Sequence, residues 1–201
     1  MKAKRSGFTL VEILVVLAVM ALLATILIPS VTSGLARARR ARCLNNLKAM
    51  GGVLTAYGAD HRGKMPNVGS GADYETLTEM IKGLYEDEYL ESLELLACPT
   101  DTGRTPCRGA DAESFTTSAN CSYAYFAGYN PLKAGGDLNQ WPLMCDRARG
   151  GLKAALTDAD NHGAKMRNAV YLGGNTATLR TAEDANAIMK LELPTGVTVV
   201  E

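Results

Sequence analysis

The chain has 201 residues, 47% of them hydrophobic, and its 21 basic and 21 acidic side chains leave no formal net charge at pH 7. This length accommodates a membrane segment and one domain of about 120–150 residues, and the balanced charge excludes the strongly basic composition of many nucleic-acid-binding proteins. Five cysteines indicate an oxidising compartment. Their spacings are not those of paired C-x-x-C motifs, so they predict no zinc knuckle.

The first element is the apolar run from Phe8 to Pro29. At 1.5 Å per residue it forms a helix of about 33 Å, which matches the hydrocarbon core of a bilayer, so it predicts one membrane span. The positive-inside rule leaves the orientation open because basic residues flank both ends. The cysteine content favours a C-terminal domain outside the cytoplasm. The flanking residues are Lys2, Lys4 and Arg5 before the run and Arg37, Arg39, Arg40 and Arg42 after it.

The N-terminal sequence "KRSG" followed by "FTLVEILVVLAVMALLATILIP" resembles the start of type IV prepilins and of the pseudopilins of type II secretion systems. In that family a prepilin peptidase removes a short basic leader that ends in glycine, and the new N-terminal residue is methylated. The resemblance implies cleavage between Gly7 and Phe8, methylation of Phe8, and Glu12 at the acidic position of the family. Pro29 stands where pilin helices often carry a proline.

The same resemblance implies the partners and the location of the protein. The partners are the prepilin peptidase and methylase, other pilin-like subunits, an inner-membrane assembly platform and membrane lipid. The chain is expected to cross the inner, or cytoplasmic, membrane once, with its N-terminus in the cytoplasm and its globular domain in the periplasm. The implied divisions are a leader at 1–7, a long helix at 8–58 with 8–29 in the membrane, and a globular domain at 59–201.

Glu12 is an acidic residue in an apolar membrane segment. The insertion scale assigns charged groups at a helix centre a cost of ~2.5–3.5 kcal/mol, and pairing makes a buried carboxylate tolerable. Cleavage after Gly7 creates an ammonium group on Phe8, four residues before Glu12 and on the same helix face. We predict that Glu12 pairs with the Phe8 amine of its own chain or of a neighbouring subunit, and that the second pairing sets the axial register of assembly.

The helical pattern continues beyond the membrane segment and is predicted to end by Gly58. Pro29 and Gly34 predict a bend or a local loosening. A helix from 8 to 57 is about 75 Å long, so its first half has to be covered by lipid or by other subunits. The arginine cluster that follows is typical of a solvated face, and no nucleic-acid partner is predicted. One apolar stripe marks the second half: Leu44, Leu47, Leu54 and Tyr57.

The remaining residues predict an antiparallel sheet and one further helix. A loop at 59–73 precedes a helical spacing of apolar residues and a second short helical turn. The segments "CSYAYFAGY" and "WPLMCD" predict strands, "RNAVYLGGNTATLR" predicts a hairpin around Gly173 and Gly174, and "GVTVVE" predicts an edge strand. The fold class is α+β and pilin-like, with a small sheet packed on the C-terminal half of the long helix. The helical spacing is that of Leu77, Met80, Ile81 and Leu84.

The globular half resembles a subgroup of pseudopilin-like proteins with the pattern "CxNNLKxxGxxLxxYxxDxxGxxP" after the span, then "CP", "SYxYxxG" and "H…NVxYxDGH". The last motif is degraded here, since Gly173 replaces its Asp and Asn175 its second His, so a role of that Asp does not carry over. The matching residues are Cys43, Asn45, Asn46, Leu47, Lys48, Gly51, Leu54, Tyr57, Asp60, Gly63, Pro66, Cys98, Pro99, Ser122 to Gly128, His162 and Asn168.

Disulfide pairing stays open on the residues alone. Cys98 with Cys107 closes the shortest loop, and Cys121 and Cys145 lie on or beside neighbouring strands. The joint occurrence of the Cys43 and Cys98 motifs in the resembling proteins implies a third choice, a bridge from the helix to the domain.

Catalytic and metal sites are not expected. Asp158 and Asp160 form a weak calcium candidate, because two carboxylates supply about half of the six to eight oxygens that Ca²⁺ takes, and a side-chain-capped turn is favoured instead. His61 and His162 lie on separate polar loops without a nucleophile motif. We predict no cofactor, no catalytic residue and no enzyme.

The leading hypothesis is therefore a structural subunit, processed after Gly7 and assembled through its helix into a type II secretion pseudopilus or a type IV pilus-like filament. One alternative is a periplasmic binding module held by an uncleaved signal anchor. Another is a secreted, cysteine-bonded protein whose signal is removed near Ser33.

Overall fold

The computed structural model describes residues 9–107, 109–129, 137–148, 157, 162–163, 166–180, 188 and 197–200. The predicted processing residues Gly7 and Phe8 and the calcium candidates Asp158 and Asp160 lie outside these ranges. The chain divides into two compact units, Met1–Ala38 and Arg39–Glu201.

The first helix, α1, spans Leu10–Asp60 and continues through Pro29 and Gly34. Within the first unit all of its large hydrophobic side chains, from Leu10 to Leu35, are exposed. A helix that is apolar on every face needs a core, a membrane or partner helices around it. This part of the chain therefore exposes an apolar surface whose contact with water is unfavourable.

In the second unit α1 contributes one buried face. The residues recur at intervals of four and three, the spacing that places side chains on one side of a helix. Leu44, which the sequence placed on this stripe, is half-buried instead, because the face is rotated by about one residue towards Cys43. The buried apolar side chains of this face are Cys43, Leu47, Met50, Leu54 and Tyr57.

Five antiparallel strands form one sheet, as the sequence predicted. The order across the sheet is β4-β3-β2-β1-β5, so the last strand of the chain lies at an edge beside β1. The hairpin between β3 and β4 turns at Gly174, whose φ of 83° favours glycine. The strands are β1, Tyr123–Ala127; β2, Pro142–Asp146; β3, Arg167–Tyr171; β4, Thr176–Leu179; and β5, Thr198–Val200.

Two tyrosines of β1 that point to one face bond the sheet to α1 and to the loop that follows it. Tyr123 Oη donates to the carbonyl of Cys43 at 3.5 Å, and Tyr125 Oη donates to the carbonyl of Pro66 at 2.8 Å. Both tyrosines are fully buried. The predicted arrangement, a small sheet on the second half of the long helix, is thus the observed one.

Short helices complete the second unit. Helix α2, Leu77–Glu86, begins with a capping box in which Thr76 and Glu79 satisfy each other's backbone N–H groups. A 3₁₀ turn, Leu93–Leu96, follows as the predicted second turn. Helix α3 spans Thr117–Asn120, and further 3₁₀ turns lie at Gly109–Ser114 and Leu138–Gln140.

The close approach of α1 to β3 predicts opposite effects at two adjacent glycines. A Cβ on Gly51 would lie 2.7 Å from Cγ2 of Val170, whereas a Cβ on Gly52 would meet nothing within 4 Å. We expect Gly51→Ala to destabilise the second unit by about 1–3 kcal/mol and Gly52→Ala to stabilise it by up to about 1 kcal/mol. Denaturant unfolding of the full chain in detergent, followed by the fluorescence of Trp141, measures both. Equal effects of the two substitutions would contradict this packing.

Candidate functional site

The start of α1 is a capping box made by Thr9 and Glu12. The backbone N–H and the hydroxyl of Thr9 each donate to Glu12 Oε2 at 2.8 Å, and the N–H of Glu12 donates to Thr9 Oγ1 at 3.2 Å. A negative charge at this position also complements the helix dipole. Thr9 is not among the residues predicted from the sequence, although the pattern T-x-x-E before an apolar run is the recognised signal for this cap.

The cap leaves Glu12 able to accept a further donor. Both bonds from Thr9 reach the same oxygen, Oε2, whereas an ionised carboxylate offers about four lone-pair sites. The side chain is exposed in the isolated chain. Because Phe8 lies outside the described residues, its pairing with Glu12 stays a prediction.

The apolar first part of α1 meets the length and composition of a membrane span. Among the described residues, α1 is the one helix that does so, and the apolar window within it has no buried residue. This helix indicates a single-pass membrane anchor near the N-terminus. The orientation of the anchor in the membrane stays a prediction.

A second feature, in the Arg39–Glu201 unit, is the disulfide between Cys43 on α1 and Cys98 in the loop after the 3₁₀ turn. The backbone N–H of Cys98 donates to Ser122 Oγ at 3.0 Å, which fixes this loop beside β1. The bridge rules out the Cys98–Cys107 alternative. It joins chain segments whose cysteines are 55 residues apart.

The remaining cysteines are buried in the second unit. The Cys121 thiol donates to the carbonyl of Tyr123 at 3.4 Å, so the suggested bridge from Cys121 to Cys145 is not formed. Burial raises the pKa of Cys121 to about 11, against the opposing effects of that hydrogen bond and of nearby arginines. This thiol is therefore protonated and unreactive at neutral pH.

His162 lies against the disulfide. Its Nε2 is 3.7 Å from Cys98 Sγ, and its Nδ1 is 3.3 Å from Thr100 Oγ1. The Asn168 amide nitrogen is 3.0 Å from Nε2, and Thr178 Oγ1 donates to the Asn168 amide oxygen at 2.8 Å. That second bond fixes the amide so that its nitrogen donates to Nε2. The proton of the neutral ring therefore lies on Nδ1, and Nε2 carries the lone pair.

Asp146, at the end of β2, completes the surroundings of His162. Its Oδ2 is 3.3 Å from His162 Nε2 and accepts the backbone N–H of Asn168 at 2.7 Å. Its Oδ1 is buried and has no hydrogen-bond partner among the residues that the structure describes. The carboxyl group is thus half satisfied in a site that excludes water.

Burial dominates the electrostatics of this pair. It raises the pKa of Asp146 to about 7, although the hydrogen bond from Asn168 and the charge of Arg167 act in the opposite direction. Burial, helped by the charge of Arg40, lowers the pKa of His162 to about 4. Because the imidazole is neutral at pH 7, its contact with Asp146 is not an ion pair. A neutral imidazole is also the form that ligates metals.

Two residues of the degraded late motif in the sequence belong to this arrangement. His162 and Asn168, which that motif retains, are brought into contact, whereas Gly173 lies in the β3–β4 turn. A Cβ on Gly173 would collide with the side chain of Asn139, so the Asp of the motif does not fit without movement of Asn139. The sequence carried no local signal for the approach of Asp146 or of Thr100, since both come from distant segments.

Comparison with known proteins bears on the N-terminal segment. Residues 2–28 match the family model described as the prokaryotic N-terminal methylation motif. The N-terminal segment is therefore similar to those of type IV prepilins. The matched residues of this prepilin-like segment include Gly7, Phe8 and Glu12, the positions that the sequence resemblance selected.

A curated relative matches a longer stretch than the motif does. The ComG operon protein 3 homolog of Bacillus licheniformis is 41% identical over 61 residues, which make up 30% of this chain and 63% of the relative. This chain thus spans less than two thirds of the length of that relative. No solved structure matches this chain.

Proposed function

We propose that this chain is a pilin-like structural subunit of a type IV pilus-like system and not an enzyme. The observation that carries the proposal is the apolar surface of α1 from Leu10 to Leu35, exposed on every face, within a prepilin-type N-terminus. A helix of this kind is stable in a lipid bilayer before assembly and in a bundle of like helices afterwards. A change of surroundings from lipid to protein is what filament assembly requires.

In this proposal the N-terminus is processed before the subunit assembles. The leader is removed after Gly7 by a prepilin peptidase, and Phe8 is then methylated. The ammonium group of Phe8 pairs with Glu12 of a neighbouring subunit, while Thr9 keeps Glu12 in place at the helix end. A subunit in the wrong axial position leaves two unpaired charges in an apolar bundle, which costs several kcal/mol.

The chain is proposed to cross the inner membrane with its N-terminus in the cytoplasm and its globular unit outside. Its partners are then the peptidase and methylase, other pilin-like subunits and the assembly platform of the membrane. The two candidate machines are a type II secretion pseudopilus and a type IV pilus-like filament. The disulfide between Cys43 and Cys98 supports an oxidising location for the globular unit.

The N-terminal mass of the mature chain tests this function. We expect N-methyl-Phe8 as the first residue when the full chain is made in a host with a prepilin peptidase, and Met1 when the peptidase is absent. Gly7→Val is expected to block removal of the leader, because a bulky residue replaces the one that fits the peptidase, and Gly34→Val serves as the matched control. A mature chain that begins at Met1 in both hosts would favour the anchored binding module. One that begins near Ser33 would favour the secreted protein.

A further inference from the structure

The disulfide lies among side chains of the types that bind metal ions. The ligand atoms of Cys43, Cys98 and His162 all lie within 4.8 Å of one another, and Asp146 Oδ2 lies 3.3 Å from the imidazole. Three of these four side chains are at least 97% buried, with exposed fractions of 0%, 2% and 3% for Cys43, Cys98 and Asp146. The thiol–imidazole cluster is defined as Cys43, Cys98, Asp146 and His162.

Two distances within the cluster match those between ligands of tetrahedral zinc. Zn–S bonds of about 2.3 Å and Zn–N and Zn–O bonds of about 2.0–2.2 Å place a sulfur about 3.6 Å and an oxygen about 3.4 Å from the nitrogen ligand. The structure has 3.7 Å from Cys98 Sγ to His162 Nε2 and 3.3 Å from that nitrogen to Asp146 Oδ2. The Cα atoms of the two cysteines are 5.1 Å apart, so rotation of the side chains after reduction separates the sulfurs without movement of the backbone.

We propose that the thiol–imidazole cluster binds one Zn²⁺ ion when the chain is reduced, and that the disulfide is the alternative, metal-free state of the same residues. Two thiolates, one neutral imidazole and one carboxylate form a donor set that suits Zn²⁺ better than Ca²⁺ or Mg²⁺.

A second observation points to a ligand at this place. Asp146 Oδ2, the oxygen 3.3 Å from the imidazole, already accepts the N–H of Asn168. The other oxygen of this carboxyl group, Oδ1, is buried without a hydrogen-bond partner among the described residues, and a buried polar atom in this state is costly unless something binds the group. The protonated Nδ1 of His162 faces Thr100 Oγ1, which is the outer-shell contact that orients a ligating imidazole. On binding, the ion replaces the Asn168 amide at Nε2.

The two states interconvert by thiol–disulfide exchange. A low-molecular-weight disulfide such as oxidised glutathione accepts two electrons from the thiolates of Cys43 and Cys98. Its S–S bond breaks, the Cys43–Cys98 bond forms, two protons are taken up to give two glutathione thiols, and Zn²⁺ is released. A reducing compartment therefore favours the metal state, and an oxidising one favours the disulfide.

Metal titration of the full chain in detergent tests the proposal. After reduction with a phosphine, Co²⁺ is expected to give the visible ligand-field bands of a tetrahedral site and thiolate charge-transfer bands, and Zn²⁺ is expected to displace it with one ion per chain. The oxidised chain is expected to bind neither ion. Oxidised glutathione added to the zinc form is expected to release Zn²⁺ to a chromogenic indicator.

Matched histidine variants assign the site. His162→Gln is expected to weaken Zn²⁺ binding at least tenfold, since outer-shell substitutions already weaken metal sites about 10–100-fold, whereas His61→Gln, at an exposed histidine, leaves it unchanged. Equal affinities of the two variants, or equal binding by the reduced wild type and by a Cys43→Ser/Cys98→Ser chain, would overturn the proposal.

Thiol alkylation of the reduced wild type gives a test that needs no variant. Zn²⁺ is expected to slow the alkylation of Cys43 and Cys98, read by peptide mass, and Mg²⁺, which prefers oxygen ligands, is expected not to. Alkylation of both cysteines at the same rate with and without Zn²⁺ would also overturn the proposal.

Discussion

Glu12→Gln is expected to leave membrane insertion and leader removal intact and to lower filament yield at least about 100-fold. Glutamine occupies the same position in capping boxes as glutamate, so the substitution keeps the bonds to Thr9 and removes only the charge. In the proposed filament the Phe8 ammonium group would then be buried without a partner, at a cost of about 3–5 kcal/mol, and each 1.4 kcal/mol is a factor of ten. Sheared filaments and the mature N-terminus of the membrane fraction are the measurements.

Three further variants separate the charge from the cap. Glu12→Ala loses both and is expected to assemble as poorly as Glu12→Gln, whereas Thr9→Ala loses the cap alone and is expected to retain most of the yield. Glu91→Gln removes an exposed acidic group of the globular unit and controls for net charge. Normal assembly of Glu12→Gln would show that the carboxylate serves the helix end and not the register.

Loss of the Cys43–Cys98 bridge is expected to destabilise the globular unit by about 4 kcal/mol. The cysteines are 55 residues apart, and closure of a loop of that length in the unfolded chain corresponds to about 4 kcal/mol in the chain-entropy model. The Cys43→Ser/Cys98→Ser chain avoids a lone thiol. Denaturant unfolding followed by Trp141 fluorescence, with a chelator present, gives the change in the free energy of unfolding.

Reduction of the wild type provides the control for this variant. The reduced wild type, with chelator, is expected to unfold at nearly the same denaturant concentration as the double serine variant, and the variant itself is expected not to respond to reductant. A double variant as stable as the oxidised wild type would contradict a structural role for the bridge. Added Zn²⁺ is expected to raise the stability of the reduced wild type and not that of the variant.

Local signals were sufficient for the elements of the fold. The strand at Tyr123–Ala127 and the hairpin around Gly174 follow from β-favouring residues and from a glycine in the turn. Helix α2 follows from the spacing of its apolar residues and from the cap at Thr76. The sequence placed Leu44 on the buried face of α1, whereas Cys43 lies there. This is an error of about one residue in the rotation of the helix, which the spacing of apolar residues alone does not fix.

The N-terminal segment is also a matter of local sequence. A basic N-terminal stretch, a glycine, an apolar run and Glu12 are contiguous, so this pattern can be recognised without knowing how distant segments fold. The cap at Thr9 belongs to the same class, since it joins residues three apart. In this part of the protein the local sequence alone indicated the membrane anchor and the similarity to prepilins.

The disulfide cluster was decided by the tertiary structure. Cys43 lies on α1, Cys98 in a loop, Asp146 at the end of β2, and His162 is separated from Cys98 by 64 positions. Contacts over such distances depend on the packing of the sheet against α1 and on the register of β2 with β3. No periodicity or local motif encodes that register, which is why the four side chains meet only in the folded chain.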